Sequence, residues 1–535
     1  VIRITDLSFR FGSSDLLFQR VNLEIKPGEF SLICGPTGSG KSTFLRCLNG
    51  LAPHFTGGNL RGRIEIAGQD LTGAKPHDFA PHVGFVNQQP EGAFVADSVE
   101  GELVYGMEQL GFDREVMASR LAEIVERFDL RGLLQSSLTE LSGGQQQRVA
   151  IASAVAGGQK ILVLDEPTSA LDAEVSAEII ALLRKLASDE GITILLAEHR
   201  LERALPLVDS VIVVHGDGSV TKQLPTEAIR EYRLVPPVVE LSRILDLNPG
   251  CLTAQQVRER IRETPVHVES AVTQPEQFAG ESALSVSDLA VTFGANKAVD
   301  SVSFELQRGQ VMAIMGANGS GKTSLLWGIQ ASGQRNSGTA TTPWGETAKL
   351  STEESLCVLT LVPQRASDLL FLSSVSAELT DSDRFAKAPA NTTASLFQRF
   401  AGRVNPSTHP RDLSAGQQLA LVLAIQLAKD AGILLLDEPT RGLDYEAKRQ
   451  LARIIGELRE AGKAIAVATH DVEFATLIAT DVLVLENGKV TQIGKPDQIF
   501  GIDGPLPSEV SKALGIRGLF AVAQLSLENK SGERS

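Results

Sequence analysis

Dense apolar blocks recur along this chain at intervals, separated by stretches of mixed polarity. ILVLD (161–165) and ITILLAE (192–198) are two of them; ILLLD (433–437) and AIAVAT (464–469) are two more. Runs this short and this apolar, alternating with helical patterns, predict parallel strands buried on both faces of an α/β sheet. Each set is preceded by a segment that reads as β-rich. IRITDLSFRF and VNLEIKPGEFSLICG open the chain, and ALSVSDLAVTF and SVSFELQRGQVMAIMG follow from residue 283. A helix-rich middle lies between the β-rich start and the apolar strands. Outside these regions, VPPVVELSRILDLNPG and LTAQQVRERIRE read as short helices punctuated by Pro and Gly. A related pattern, GPLPSEVSKALGIRG, stands near the end. No segment offers the roughly 18 uninterrupted apolar residues of a membrane span. The longest apolar region, Leu419 to Leu436, is broken by Gln426, Lys429 and Asp430.

The pattern is written twice. Lys41 and Lys322, each closing a glycine-rich run, stand 281 residues apart. Gln88 and Gln364 are 276 apart, Ser142 and Ser414 are 272, Asp165 and Asp437 are 272, and His199 and His470 are 271. Five matches in one order with a slowly shrinking offset are a duplication. The first copy spans residues 1–226 and the second 283–497. Residues 227–282 form an extension and linker, and 498–535 a second extension ending in a frayed tail.

Composition narrows the function. Fifty Lys and Arg against 65 Asp and Glu give a formal net charge of −15. An acidic surface repels phosphate backbones, so nucleic acid is not expected as the partner. The four cysteines (Cys34, Cys47, Cys251, Cys357) form no CxxC pair and read as reduced thiols of the cytosol. Cys34 and Cys47, which bracket the first glycine-rich loop, read as core residues, and a thiol reagent is still expected to disturb that loop. The N-terminus shows no basic-then-apolar pattern, so secretion is not expected; it also lacks a starting Met.

The glycine-rich runs carry the chemistry. The first is Gly35-Pro36-Thr37-Gly38-Ser39-Gly40-Lys41-Ser42-Thr43 and the second Gly316-Ala317-Asn318-Gly319-Ser320-Gly321-Lys322-Thr323-Ser324. Each follows an apolar strand and opens a helix, the context in which such a run cradles phosphates. Glycines let backbone N–H groups curl around the anion, and the helix start adds positive potential. Lys41 and Lys322 are placed for the β- and γ-phosphates of ATP, and Ser42 and Thr323 for Mg²⁺. Asp165 and Asp437 end apolar strands, as Mg²⁺-linked acids do in phosphate-loop NTPases. Glu166 and Glu438 follow directly, where a carboxylate polarises an attacking water.

LSGGQ (141–145) and LSAGQ (413–417), each ahead of a DEPT motif, make both copies resemble the ATP-binding cassette (ABC) family over nearly their whole lengths. The resemblance implies tandem phosphate-loop NTPase domains of α/β fold. Each would have a RecA-like core, a β-rich subdomain, a helical signature subdomain and a small C-terminal extension. It implies that Ser142, Gly143, Gly144 and Gln145 close on the nucleotide held by Lys322. Ser414, Ala415, Gly416 and Gln417 would close on that held by Lys41. Gln88 and Gln364 match the glutamine that senses Mg²⁺ and meets a membrane partner. His199 and His470 match the histidine that orients the γ-phosphate and water. Phe11 and Phe293 stand where the family stacks an aromatic ring on adenine. Ala415 replaces Gly143, and Leu419 and Ala420 replace Gln147 and Arg148, so the two ATP sites are expected to be tuned differently.

Within that family, VGFVNQQPEGAFVADSVEGELVYG, AEHRLERALPLVDSVIVV and PPVVELSRIL are similar to the ATPases of energy-coupling-factor importers of vitamins or metal ions. That resemblance implies two further partners: an integral membrane scaffold and small substrate-binding membrane proteins. The chain would sit on the inner face of the cell membrane. Asp97–Leu103 and Ser373–Leu379 would border the scaffold's docking groove, with Glu100, Glu102 and Glu378 as acidic contacts. Two alternatives compete. A fused sugar-importer ATPase usually has one degenerate site, whereas both catalytic sets are intact here. A soluble ABC translation factor calls for a long charged linker.

Overall fold

The computed structural model describes residues 1–12, 16–231, 235–247, 250–263, 269–270 and 280–526. It divides into two units, Val1–Pro236 and Pro237–Ser535.

In the first unit, Phe18–Ile25, Ile2–Arg10, Asn59–Ile66 and Gln69–Asp70 form an antiparallel sheet in that order. A second sheet runs Val220–Gln223, Ser210–Val214, Phe30–Cys34, Thr193–Ala197, Ile161–Asp165, Val83–Val86. Only its Val220–Gln223 edge is antiparallel to its neighbour. The apolar blocks seen in the sequence are its interior strands. Ile161–Asp165 and Thr193–Ala197 are buried at every position. Both faces are covered, which is why these strands are continuously apolar rather than alternating.

The second unit repeats both sheets. The antiparallel one orders Asn296–Gln307, Ser282–Phe293, Ser337–Thr342 and Gly345–Glu346. The mainly parallel one runs Leu359–Val362, Ile433–Asp437, Ala464–Thr469, Val311–Met315, Asp481–Glu486, Lys489–Gly494.

The parallel strands end at one edge. In an open α/β sheet that edge, beside the strand where connections diverge, is where ligands bind. Residues just after Cys34, Val86, Asp165 and Ala197 therefore gather there, and their equivalents do so in the second unit.

Helices Pro237–Ile244 and Ala254–Glu263 form where the sequence predicts them. Both pack on helix Glu509–Leu514 of the C-terminal extension. Glu269–Ser270 pairs antiparallel with Leu525–Ser526. The linker helices and the C-terminal extension thus build one small subdomain in the second unit. Glu240 fastens it to helix Tyr445–Glu460 through Arg449, at 2.5 Å. The expected tail, residues 529–535, lies outside the described residues.

Candidate active site

Strand Phe30–Cys34 leads into the first glycine-rich loop and helix Lys41–Cys47. Gly40, the residue before the helix, has φ 98°, and Gly321 has φ 103° before helix Lys322–Gln330. A Cβ at Gly321 would stand 2.0 Å from the Ala298 carbonyl, so only glycine makes this turn. Lys41 Nζ donates to Gly35 O at 3.0 Å and Pro36 O at 3.3 Å. Lys322 Nζ donates to Gly316 O at 2.9 Å and Ala317 O at 3.0 Å. Each ammonium is thereby held inside the curl of its own loop. Of the rest of the two loops, the Ser39 and Ser320 hydroxyls are buried without a hydrogen-bond partner among the described residues.

The acidic strand ends meet these loops. Ser42 Oγ donates to Asp165 Oδ1 at 2.9 Å, and Thr323 Oγ1 to Asp437 Oδ1 at 3.1 Å. Burial pushes the Asp165 carboxyl above its ordinary value; neighbouring Glu166 adds to this and the Ser42 bond opposes it. Burial likewise pushes Asp437 up to about 6, opposed by the bond from Thr323. Two raised carboxyls, each beside a hydroxyl and a lysine, are sites where a cation would restore the charged form.

Glu166 and Glu438 adopt left-handed backbone conformations, with φ 50° and 45°. Such a conformation costs a non-glycine residue about 1–3 kcal/mol and persists only where neighbours over-determine it. Here the neighbouring strand does so: Glu166 N donates to Ala197 O at 2.9 Å, and Glu438 N to Ala468 O at 2.8 Å. The turn aims each carboxylate at a histidine. His199 Nε2 lies 2.7 Å from Glu166 Oε1, and His470 Nδ1 lies 2.9 Å from Glu438 Oε2. Burial would raise the Glu166 carboxyl, but His199 and Lys41 outweigh it and hold it below the usual carboxylate range.

The units differ in what else touches the glutamate. Gln88 Nε2 donates to Glu166 Oε2 at 2.9 Å. Its counterpart Gln364 is exposed, and Lys322 Nζ stands 3.5 Å from Glu438 Oε1. The first unit therefore brings together Lys41, Ser42, Gln88, Asp165, Glu166 and His199. The second brings together Lys322, Thr323, Asp437, Glu438 and His470.

The signature segments make other bonds. Ser142 caps helix Gly143–Ala156, with Gln145 Oε1 accepting from Ser142 N at 2.9 Å and Ser142 Oγ from Gln145 N at 3.3 Å. Ser414 and Gln417 repeat this box on helix Ala415–Leu427. A Cβ at Gly143 would make ordinary contact with Leu171, 3.4 Å away, so Ala415 enters its own first turn without strain. At Gly144 a Cβ would come within 2.5 Å of Val175, whereas at Gly416 it would sit 3.5 Å from Ala447. Phe11, just past its strand, and Phe293, at the end of its own, are 40% and 51% exposed, and the Phe11 ring packs edge-on against Phe9.

Two expectations are corrected. Glu102 and Glu378 are not surface acids: they are buried, 7% and 6% exposed. Each binds the loop before its own helix. Glu102 Oε2 accepts from Val95 N at 2.9 Å and Ala96 N at 3.0 Å. Glu378 Oε1 accepts from Phe371 N at 2.6 Å and Leu372 N at 2.7 Å. Glu100 is half-buried and takes a bond from Gln135. Cys34 and Cys47 are buried, as their reading as core residues expects, so the thiol-reagent expectation does not hold. Burial pushes both up to about 12, so they stay protonated and unreactive, while Cys357 is exposed.

Sequence reasoning missed Glu198, buried beside His199, and Thr168, which it holds. The available signal was an acid closing the apolar run ITILLAE.

This geometry is that of a nucleotide-hydrolysing phosphate-loop ATPase, twice over. The ABC transporter family profile matches residues 18–169 and 299–441, and the chain belongs to that family. Its two domains bind ATP and are ATPases. A Streptomyces coelicolor protein provisionally named ABC transporter ATP-binding protein is 38% identical over 98% of this chain and 99% of its own. A Bacillus subtilis protein provisionally named HMP/thiamine import ATP-binding protein YkoD is 30% identical, over 94% of this chain and 92% of its own. Among solved structures, RNase-L Inhibitor has the same fold, with TM-score 0.55, 23% identity, and coverage of 90% of this chain and 88% of that one.

Proposed function

We propose that this chain is the fused ATPase module of an energy-coupling-factor importer, converting ATP hydrolysis into uptake of a vitamin or metal ion. Each loop after the glutamine presents an exposed apolar residue seven positions on: Val95, 62% exposed, and Phe371, 81% exposed. A buried glutamate fixes each loop from behind. A rigid apolar knob repeated in both units is what a membrane scaffold's helices would dock against, and this observation carries the reading. The likeness to YkoD, named for HMP/thiamine import, supports the importer class.

In this reading Lys41 and Lys322 neutralise the β- and γ-phosphates within loops of backbone N–H groups. Mg²⁺ prefers hard oxygen donors. The Ser42–Asp165 and Thr323–Asp437 pairs supply them, and Gln88 and Gln364 complete the sets. The bound ion would neutralise charge on the phosphates. Glu166 and Glu438 accept the proton of the attacking water, and His199 and His470 hold them and the γ-phosphate in line. Phe11 and Phe293 stack on adenine. ATP binding and hydrolysis then switch the module between conformations through contacts to the γ-phosphate. The module sits on the cytoplasmic face of the membrane, and the small membrane partners select the solute.

The test is a mild-detergent pull-down of the tagged chain from its native membranes, with partners identified by mass spectrometry. One scaffold with several small membrane proteins is expected. A pair of identical permeases would indicate a sugar importer, and ribosomal proteins a translation factor.

A further inference from the structure

The two copies serve as controls for each other, and they part at the residue before the histidine. In the first unit, three successive residues hold the turn that carries Glu166. Ala197 O accepts from Glu166 N at 2.9 Å. Glu198 Oε1 accepts from Thr168 N at 3.0 Å and from Thr168 Oγ1 at 2.7 Å. His199 Nε2 meets Glu166 Oε1 at 2.7 Å. Glu198 is 3% exposed, so these bonds form away from water. The clasp reaches further along the chain. Arg203 Nη1 approaches Thr168 Oγ1 at 3.4 Å and donates to Ser176 Oγ at 2.5 Å. Ser176 Oγ in turn donates to Asp172 O at 2.5 Å.

The second unit keeps the outer rungs and lacks the middle one. Ala468 O still accepts from Glu438 N, and His470 still meets Glu438. Thr469 stands where Glu198 does, and its hydroxyl accepts from Asp471 N at 3.0 Å. The hydroxyl of Thr440, the counterpart of Thr168, is buried without a hydrogen-bond partner among the described residues. The charges nearby are rearranged as well: Lys448 pairs with Asp471 at 2.7 Å, where the first unit has Ser176 and Arg200.

We propose that Glu198 is a positioning residue of the first ATP site alone. By clasping Thr168 it fixes the strained turn that aims Glu166, and it makes the two sites unequal in turnover. The inference rests on the roles proposed above for Glu166 and His199. Its physical basis is over-determination. A carboxylate on a left-handed turn keeps its aim only while neighbours hold that turn, and a displacement of about 1 Å at a reacting group lowers rate by up to about a hundredfold.

The experiment uses the full chain in a Glu438→Gln background, so that turnover reports the first site. Glu198→Thr installs the residue the second unit already accommodates. Glu198→Gln keeps an acceptor for Thr168 without the charge. Steady-state ATP hydrolysis gives kcat and KM, and a fluorescent ATP analogue gives affinity. Glu198→Thr is expected to lower kcat by at least about tenfold with KM and affinity within about twofold. Glu198→Gln is expected to keep more than about half of kcat. Unchanged kcat in Glu198→Thr would overturn the proposal. So would equal losses in both variants, which would assign the effect to charge, or a loss confined to KM. Glu166→Gln and His199→Ala in the same background separate the two layers: full turnover in these would sink the site reading itself, not merely the clasp.

Discussion

At the scale of single residues, paired geometry decides what each group does. Glu166 and Glu438 occupy equivalent strained turns, each against a histidine, with Lys41 or Lys322 close by. Both sites are therefore expected to hydrolyse ATP. Glu166→Gln and Glu438→Gln should each lower turnover, and the double variant should fall by at least about a hundredfold, the scale of a lost general base. A single variant with wild-type turnover would remove its site from this account. Glu29, just before strand Phe30–Cys34, sets a pH dependence. Burial pushes its carboxyl up, but bonds from Lys222, Ser210 and the Lys26 backbone outweigh this and hold it below the usual carboxylate range. A carboxyl lowered by folding contributes stability above its unfolded value, and that contribution is lost as pH falls through the folded value. Glu29→Gln should thus be less stable than wild type at pH 7. The gap in denaturant midpoint should close as pH falls below about 4.5; a gap independent of pH would contradict this.

At the scale of elements, the loops after the glutamines show how a buried charge shapes a surface. Helices Val99–Gln109 and Val375–Ala386 each turn one glutamate inward. That glutamate satisfies two backbone N–H groups of the loop before it, which leaves the apolar residue outside. Removing the acceptor strands two amides at about 1–3 kcal/mol each. Glu102→Ala and Glu378→Ala should therefore loosen the loops and weaken recovery of membrane partners, with ATP affinity of the isolated chain unchanged. Hydrogen exchange at residues 95–96 and 371–372 checks the cause: protection equal to wild type would rule it out. In the sequence these acids looked like surface contacts. Helical spacing gives the face a residue occupies but not whether a loop folds back over that face.

At the scale of the whole chain, the two linker helices are held by a segment some 250 residues later. Val239, Leu241 and Val257 are fully buried in helices that pack on Glu509–Leu514. Deleting residues 505–535 should uncover those apolar faces. Trypsin should then cut at Arg258, Arg260 and Arg262 faster than in the intact chain. Equal cleavage rates would mean that the linker helices stand without the C-terminal extension.

Much of this protein is local and so was legible in one dimension. The phosphate loops, the strand-end Asp-Glu pairs and the signature caps are set by contiguous residues whose backbone geometry follows from glycine, capping and apolar runs. The duplication was legible for the same reason, because order along the chain survives folding. What only the tertiary structure decided depends on groups far apart in sequence. It put Glu102 and Glu378 inside and joined the linker helices to the C-terminal extension. It also set Glu198 against Thr168 in one copy and left Thr440 without that partner in the other. Burial and hydrogen-bond partnership are properties of the packed chain, and no spacing of residues along it encodes them alone.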